Sequence, residues 1–215
     1  MGVLIGGTAW YLTCSFEEQQ VLKQHQFEEQ QKQQQQALEE KKRKKEKTQE
    51  LRLAISKISV LLFKRKERAS LLRSALHKKF DTLLVRHRKE QYDESYVNWN
   101  AHNQEIEFLI NNILNKKNND FSRELNKVLV SNILAPLDKC LTEATTISLS
   151  GKPIQAKNRV NNCTSNDSAF NLVIRAGTCG KAFMKGLHNL SENNGYRLKY
   201  NAQKLITANC TKIKK

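Results

Sequence analysis

The sequence predicts a mainly α-helical protein: an N-terminal membrane-anchor helix, a long polar and coiled-coil helix with a helical bundle, and a small C-terminal module containing disulfides. Three observations predict it. Eight Gly and two Pro in 215 residues leave too few turn formers for an all-β fold. Mostly apolar side chains recur at alternating spacings of four and three from Leu51 to Leu83, the period of a packed helix, and again from Tyr92 to Ile113. Four of the five cysteines fall within the last 76 residues, where apolar content is low.

The first element is residues 1–16. Val3 to Phe16 form a 14-residue run without charge, shorter than the ~20 residues that cross a bilayer core. Trp10 and Tyr11 are of the type that sits at the membrane interface. The run lacks the Lys or Arg that opens a cleaved signal peptide, and Gly6 stands where a myristoylation motif needs Ser or Thr. A short anchor that thins the bilayer around it, an uncleaved or truncated signal segment, and a helix buried in its own protein all fit. The first is the expectation, with membrane lipid as its partner through residues 3–16. Cys14 is placed for acylation beside such an anchor.

Residues 17–48 follow as a Gln, Glu and Lys-rich stalk or linker. Ten of the eighteen residues from Gln19 to Gln36 are Gln. Good helix formers without Gly or Pro favour helix, and few apolar positions give it little to pack with; a Gln-rich stretch also fits disorder. The charge then turns over. The net charge of +16 divides into -4 over 1–40, +13 over 41–90, -3 over 91–150 and +10 over 151–215. The basic patch Lys41, Lys42, Arg43, Lys44 and Lys45 opens the most basic block. Such a block suits a solvated helix surface, anionic lipid head groups or nucleic acid.

Residues 49–146 read as a coiled coil or helical bundle. The seam runs Leu51, Ile55, Ile58, Leu62, Arg65, Ala69, Leu72, Leu76, Lys79 and Leu83. Leu51, Ile55, Ile58, Leu62, Leu72 and Leu76 are its candidate contacts with a second helix, in this chain or a partner. Arg65 and Lys79 interrupt it, at a cost in stability that can fix register. The same alternating count is found again past Arg86-His87-Arg88 in Tyr92, Tyr96, Trp99, Asn103, Ile106, Ile110 and Ile113; a single helix through all of it would be long and unsupported, so a fold-back is expected near residues 88–92. A further helix is expected after Asp120 as N-cap, with Pro136 kinking it.

The stretch 145–153 reads as a loop or short strand and the start of a basic Cys-containing module, residues 147–215. Phe170, Val173, Ile174, Ala176 and Phe183 suggest one short helix. Tyr196, Leu198 and Tyr200 alternate with polar residues as in a strand, or form a short helix. Cys140, Cys163, Cys179 and Cys210 are candidate half-cystines, with three possible pairings. Their spacings of 23, 16 and 31 lack the close pairs of a zinc site. Asn162, Asn166, Asn189 and Asn209 each open a glycosylation-type triplet.

No phosphate-binding loop, zinc-protease motif, nucleophile elbow or dinucleotide fingerprint is present. The most enzyme-like fragment is Gly177-Thr178-Cys179-Gly180-Lys181, which a half-cystine in a turn explains more simply. No catalytic residue, cofactor or metal is therefore expected. The function expected is that of a membrane-anchored, single-pass, non-enzymatic binding or assembly protein of a cell envelope, as in a transfer, secretion or exclusion apparatus, its C-terminal part extracytoplasmic. The alternative is a basic helical nucleic-acid-binding protein.

Overall fold

The computed structural model describes residues 4–113 and 125–192, together with Ala208 and Cys210. Helices take up 92% of the described residues, and none of them is in a strand. In chain order they are α1 (Leu4–Lys78), α2 (Thr82–Ile113), a π-helical segment (Leu125–Leu134), α3 (Ala135–Leu149), α4 (Pro153–Asn161) and α5 (Ala169–Glu192). Contacts divide the chain into two units, Met1–Lys47 and Thr48–Lys215.

The first unit is the amino-terminal part of α1. Between Gly7 and Gly151 the chain has no glycine, and its first proline is Pro136, so nothing interrupts the helical backbone here. Val21, Leu22, Phe27 and Leu38 remain exposed, and a Lys44–Glu40 pair at 2.7 Å is of the i,i+4 kind that supports a solvated helix. Among the described residues no helix is long and apolar enough to cross a membrane. The expected membrane-anchor helix over residues 1–16 thus has no support in the fold.

The second unit begins with the remainder of α1, which turns back into α2. The reversal lies at Lys79–Asp81, not at residues 88–92 as the spacing suggested. Lys79 has φ 56° and the Phe80 amide donates to the Ala75 carbonyl at 3.2 Å, which closes the helix in a Schellman motif. Asp81 then caps α2 by accepting from the Leu84 amide at 2.8 Å. Glycine usually takes the left-handed position; here a lysine does, so the stop leaves no glycine in the sequence. Leu83, expected on the seam, is 75% exposed because the turn resets the phase.

Past the turn, α2 runs antiparallel to α1. Lys64 meets Glu94 at 3.2 Å, Lys57 meets Glu105 at 3.4 Å, and Arg68 donates to Gln91 at 2.7 Å. Leu51, Ile55, Ile58, Leu62, Ala69, Leu72 and Leu76 are buried on the α1 side, and Val85, Tyr92 and Trp99 on the α2 side. Leu129, Ile133, Leu137, Leu141, Leu172 and Phe183 of the later helices complete this core.

Asp120, and with it the start of the third expected helix, lies outside the described residues. Pro136 falls in the first turn of α3, directly after the π-helical segment, so the proline that lacks an amide donor stands where the helix changes its hydrogen-bond register. Residues 145–149, expected as loop or strand, continue α3. Thr145 and Thr146 return their hydroxyls to the carbonyls of Leu141 and Thr142, which makes polar residues compatible with the helix interior. The real stop is Gly151, at φ 82°, with Pro153 opening α4. Ser168 caps α5 by accepting from the Asn171 amide at 3.2 Å, and α5 continues for 24 residues, well beyond the short helix expected. Tyr196, Leu198 and Tyr200 lie outside the described residues.

Candidate functional site

The four predicted half-cystines pair as Cys140–Cys163 and Cys179–Cys210, with Cα separations of 5.2 and 4.6 Å, inside the range a disulfide can bridge. The first ties α3 to the second residue beyond α4. The second ties the middle of α5 to Cys210. In both, an arginine holds the carbonyl of the later cysteine. Arg159 donates to the carbonyls of Asn162 and Cys163 at 2.5 and 2.9 Å, and its Nε to Glu143 at 2.7 Å. Arg175 donates to the Cys210 carbonyl at 3.3 and 3.0 Å and to Asp167 at 2.5 Å. Both later cysteines sit in an Asn-Cys-Thr triplet. Each crosslink is thus flanked by a charge-assisted clamp that orders its backbone.

Arg65, read in the sequence as a break in the seam, is the centre of a buried polar cluster. It is 2% exposed. Its Nη2 donates to Asp138 Oδ2 and the Tyr92 hydroxyl donates to Asp138 Oδ1, so one carboxylate of α3 joins α1 to α2. The guanidinium lies 4.9 Å from the Tyr96 ring and 6.0 Å from the Trp99 ring, while its Nε and Nη1 make no hydrogen bond. Burial pushes the Asp138 carboxyl above its usual range, against the opposing pull of Arg65 and Tyr92. Burial and the neighbouring Asp138 carboxylate together keep the Tyr92 phenol protonated at any physiological pH. Through this one carboxylate the cluster links α1, α2 and α3.

Leu51, Ile55, Ile58, Leu62, Leu72 and Leu76 are all in the interior of the second unit, at 8% exposure or less. Their apolar faces are taken up by the chain's own helices, so a partner would have to meet another surface. Lys41, Lys42, Arg43, Lys44 and Lys45 are all exposed. Among the described residues, no three His, Cys, Asp or Glu side chains come together as a metal site would need.

One concave surface of the second unit brings together residues from two helices. Ser59, Leu62, Phe63 and Lys66 of α1 face Gly177, Gly180, Lys181 and Met184 of α5 across a half-open groove of about 240 Å³. The glycines are what allow it. A Cβ on Gly180 would stand 2.3 Å from Leu62 Cδ2, so α5 meets α1 here without a side chain between them. Lys66 lies along Gly177, where a Cβ would stand 3.0 Å from its Cε, and its ammonium is 5.6 Å from the Phe63 ring. The Gly-Thr-Cys-Gly fragment is therefore the mid-helix contact of α5, with Cys179 held in a disulfide, and not a turn that exposes a nucleophile. Two glycines three apart inside an amphipathic run were the available sequence signal. Phe63 and Met184, which stand off the main seam, gave none.

The glycines make opposite predictions. Gly180→Ala should destabilise the protein by roughly 1–3 kcal/mol, because the Leu62 side chain has to be displaced within a packed core. Gly177→Ala should be neutral or stabilising by up to about 1 kcal/mol, since a flexible lysine end yields and alanine favours helix. Urea unfolding of both variants decides it; equal losses would contradict the close approach of α5 to α1. No family model, curated protein or solved structure matches this chain.

Proposed function

We propose that this chain is a non-enzymatic binding and assembly protein of a cell envelope, held at the membrane by residues 3–16, with its helical body outside the cytoplasm. The observation that carries the reading is the pair of disulfides in the second unit. Such bonds persist in oxidising compartments and are rare where glutathione and thioredoxin keep thiols reduced. A charge-free apolar run ahead of a polar helix suits a short membrane-proximal segment, thinner than a full span and held by Trp10 and Tyr11 at the interface. The polar helix that follows acts as a spacer, and the bundle as the part that meets other macromolecules. A place in a transfer, secretion or exclusion apparatus suits this form. Nucleic-acid binding through the basic block that Lys41–Lys45 opens is the second reading, favoured by the exposure of these five cations.

Deleting residues 2–16 should move the protein from the membrane fraction to the soluble fraction. In the full chain unfolded in urea, a maleimide should reach at most Cys14 until reduction frees the other four thiols. An unchanged distribution after the deletion, or five reactive thiols before reduction, would overturn the reading. Retention on DNA with a steep loss between low and physiological salt would favour the second reading instead.

A further inference from the structure

The α1/α5 groove pairs apolar walls with lysines that no ion pair among the described residues takes up. Phe63 is 61% exposed, and with Met184 it walls a cavity whose floor is Leu62 and the bare backbone at Gly180. The volume of about 240 Å³ is below the ~300–1,000 Å³ of pockets that enclose a whole small molecule; it suits one bulky side chain. The same face extends along α5. Phe170 and Ile174, 51% and 46% exposed, stand four residues apart and lead towards Gly177, Lys181 and Met184. That is the spacing of one helix face, continuous over 15 residues and about 20 Å. Arg73 of α1 covers the Phe170 ring at 5.2 Å.

Along α5 the charge on this face has one sign, while on α1 Glu67 stands exposed next to Lys66. α5 carries Lys181 and Lys185 and no carboxylate before Glu192. Neither Lys66 nor Lys181 makes an ion pair among the described residues. Of the carboxylates elsewhere in the second unit, Glu94, Glu105, Asp138, Glu143 and Asp167 each meet a cation. A partner that supplies both an apolar anchor and negative charge would complete what the chain leaves open.

We propose that the α1/α5 groove docks an acidic amphipathic helix of a partner protein, which seats a bulky apolar side chain between Phe63 and Met184 and sets carboxylates against Lys66 and Lys181. An amphipathic helix in a groove engages through anchors at i, i+3, i+4 and i+7. The face on α5 repeats at that interval. Met184 adapts its shape to the anchor, and the lysines decide which partners are admitted, because like charge set against them is costly. The proposal rests on the binding function above and names its partner's chemistry. Its failure would leave the fractionation and thiol results untouched, and their failure would leave this surface in place.

The test uses the full chain in zwitterionic lipid nanodiscs and a fluorescent synthetic helix with Leu and Phe on one face and Glu on the other. A second probe carries Lys in place of each Glu. Anisotropy should show the acidic probe binding roughly tenfold or more tightly than the basic one. The paired substitution Lys66→Glu with Lys181→Glu, on residues outside the core, should reverse that preference, a gain that misfolding cannot produce. Ser59→Trp, which fills the cavity, should abolish binding of both. Equal binding of the two probes, or a preference the paired substitution leaves unchanged, would overturn the proposal. So would displacement of the acidic probe by phosphatidylglycerol vesicles, which would assign the face to lipid, or concentration-dependent self-association lost with the paired substitution, which would assign it to a second copy.

Discussion

Reducing both disulfides should lower the unfolding free energy by about 7 kcal/mol, most of the stability an ordinary domain has. The bridges close sequence separations of 23 and 31 residues. In the chain-entropy account each removes about 3.5 kcal/mol of freedom from the unfolded state. The two loops do not overlap, so their effects should add. Cys140, Cys179 and Cys210 are fully buried and Cys163 nearly so. Free thiols there pack as small apolar groups, and the loss falls on the unfolded state more than on native contacts. Chemical unfolding followed by circular dichroism, with and without a phosphine reductant, measures it. The paired substitutions Cys140→Ala/Cys163→Ala and Cys179→Ala/Cys210→Ala should each cost about half the total. A midpoint unmoved by reduction would contradict the bridged fold. The arginine clamps make a second distinction. Arg159 and Arg175 also hold the carbonyls of Cys163 and Cys210, so the reduced native state should keep these segments docked while its global stability falls.

How far the fold was legible follows from which residues mark their own roles. Helical spacing placed Leu51 to Leu76 on a buried face because each turn of α1 presents an apolar residue to the same side. Cysteine number and separation favoured disulfides over metal, although pairing is a three-dimensional property that spacing does not carry. The α1/α2 turn was misplaced because the position that usually requires glycine is filled by Lys79, and a lysine at φ 56° looks like any surface lysine. By contrast Gly151, in the same kind of helix stop, stands in plain view beside Pro153. The stretch 145–149 was read as loop because Thr and Ser have weak helix propensity; tertiary burial of Thr145 and Ser148 overrode that preference. The groove was the least legible feature. It depends on two helices approaching at Gly180, and nothing within either helix alone announces the other.

Removing either member of the buried Arg65–Asp138 pair should cost about 3–5 kcal/mol, with different dependences on pH. Asp138→Asn leaves the Arg65 guanidinium, 2% exposed, without a counter-charge. Arginine cannot escape by losing a proton, so the stability of this variant should carry no titration from position 138 between acid and neutral pH. Arg65→Met instead leaves a carboxylate whose burial already favours its protonated form. Without the guanidinium its pKa should rise further. A carboxyl raised in the fold contributes stability that is present below its unfolded pKa and lost as pH climbs through the folded one. The Arg65→Met variant should therefore be least impaired in acid and progressively weaker towards neutral pH, while the Tyr92 phenol still donates to Asp138. Replacing both, as Arg65→Met with Asp138→Leu, removes the buried charges together and should recover most of either loss, because an apolar substitute of similar size avoids the desolvation that the pair incurs. Urea titrations of the three variants between pH 4 and pH 8 separate these outcomes. Parallel pH profiles for the two single variants would show that the side chains do not act as a pair. The value of the cluster then lies in specificity. One carboxylate on α3 accepts from α1 and α2 at once, so a slip of either helix by a turn strands a charge in the core, and only one alignment of the bundle satisfies all three helices.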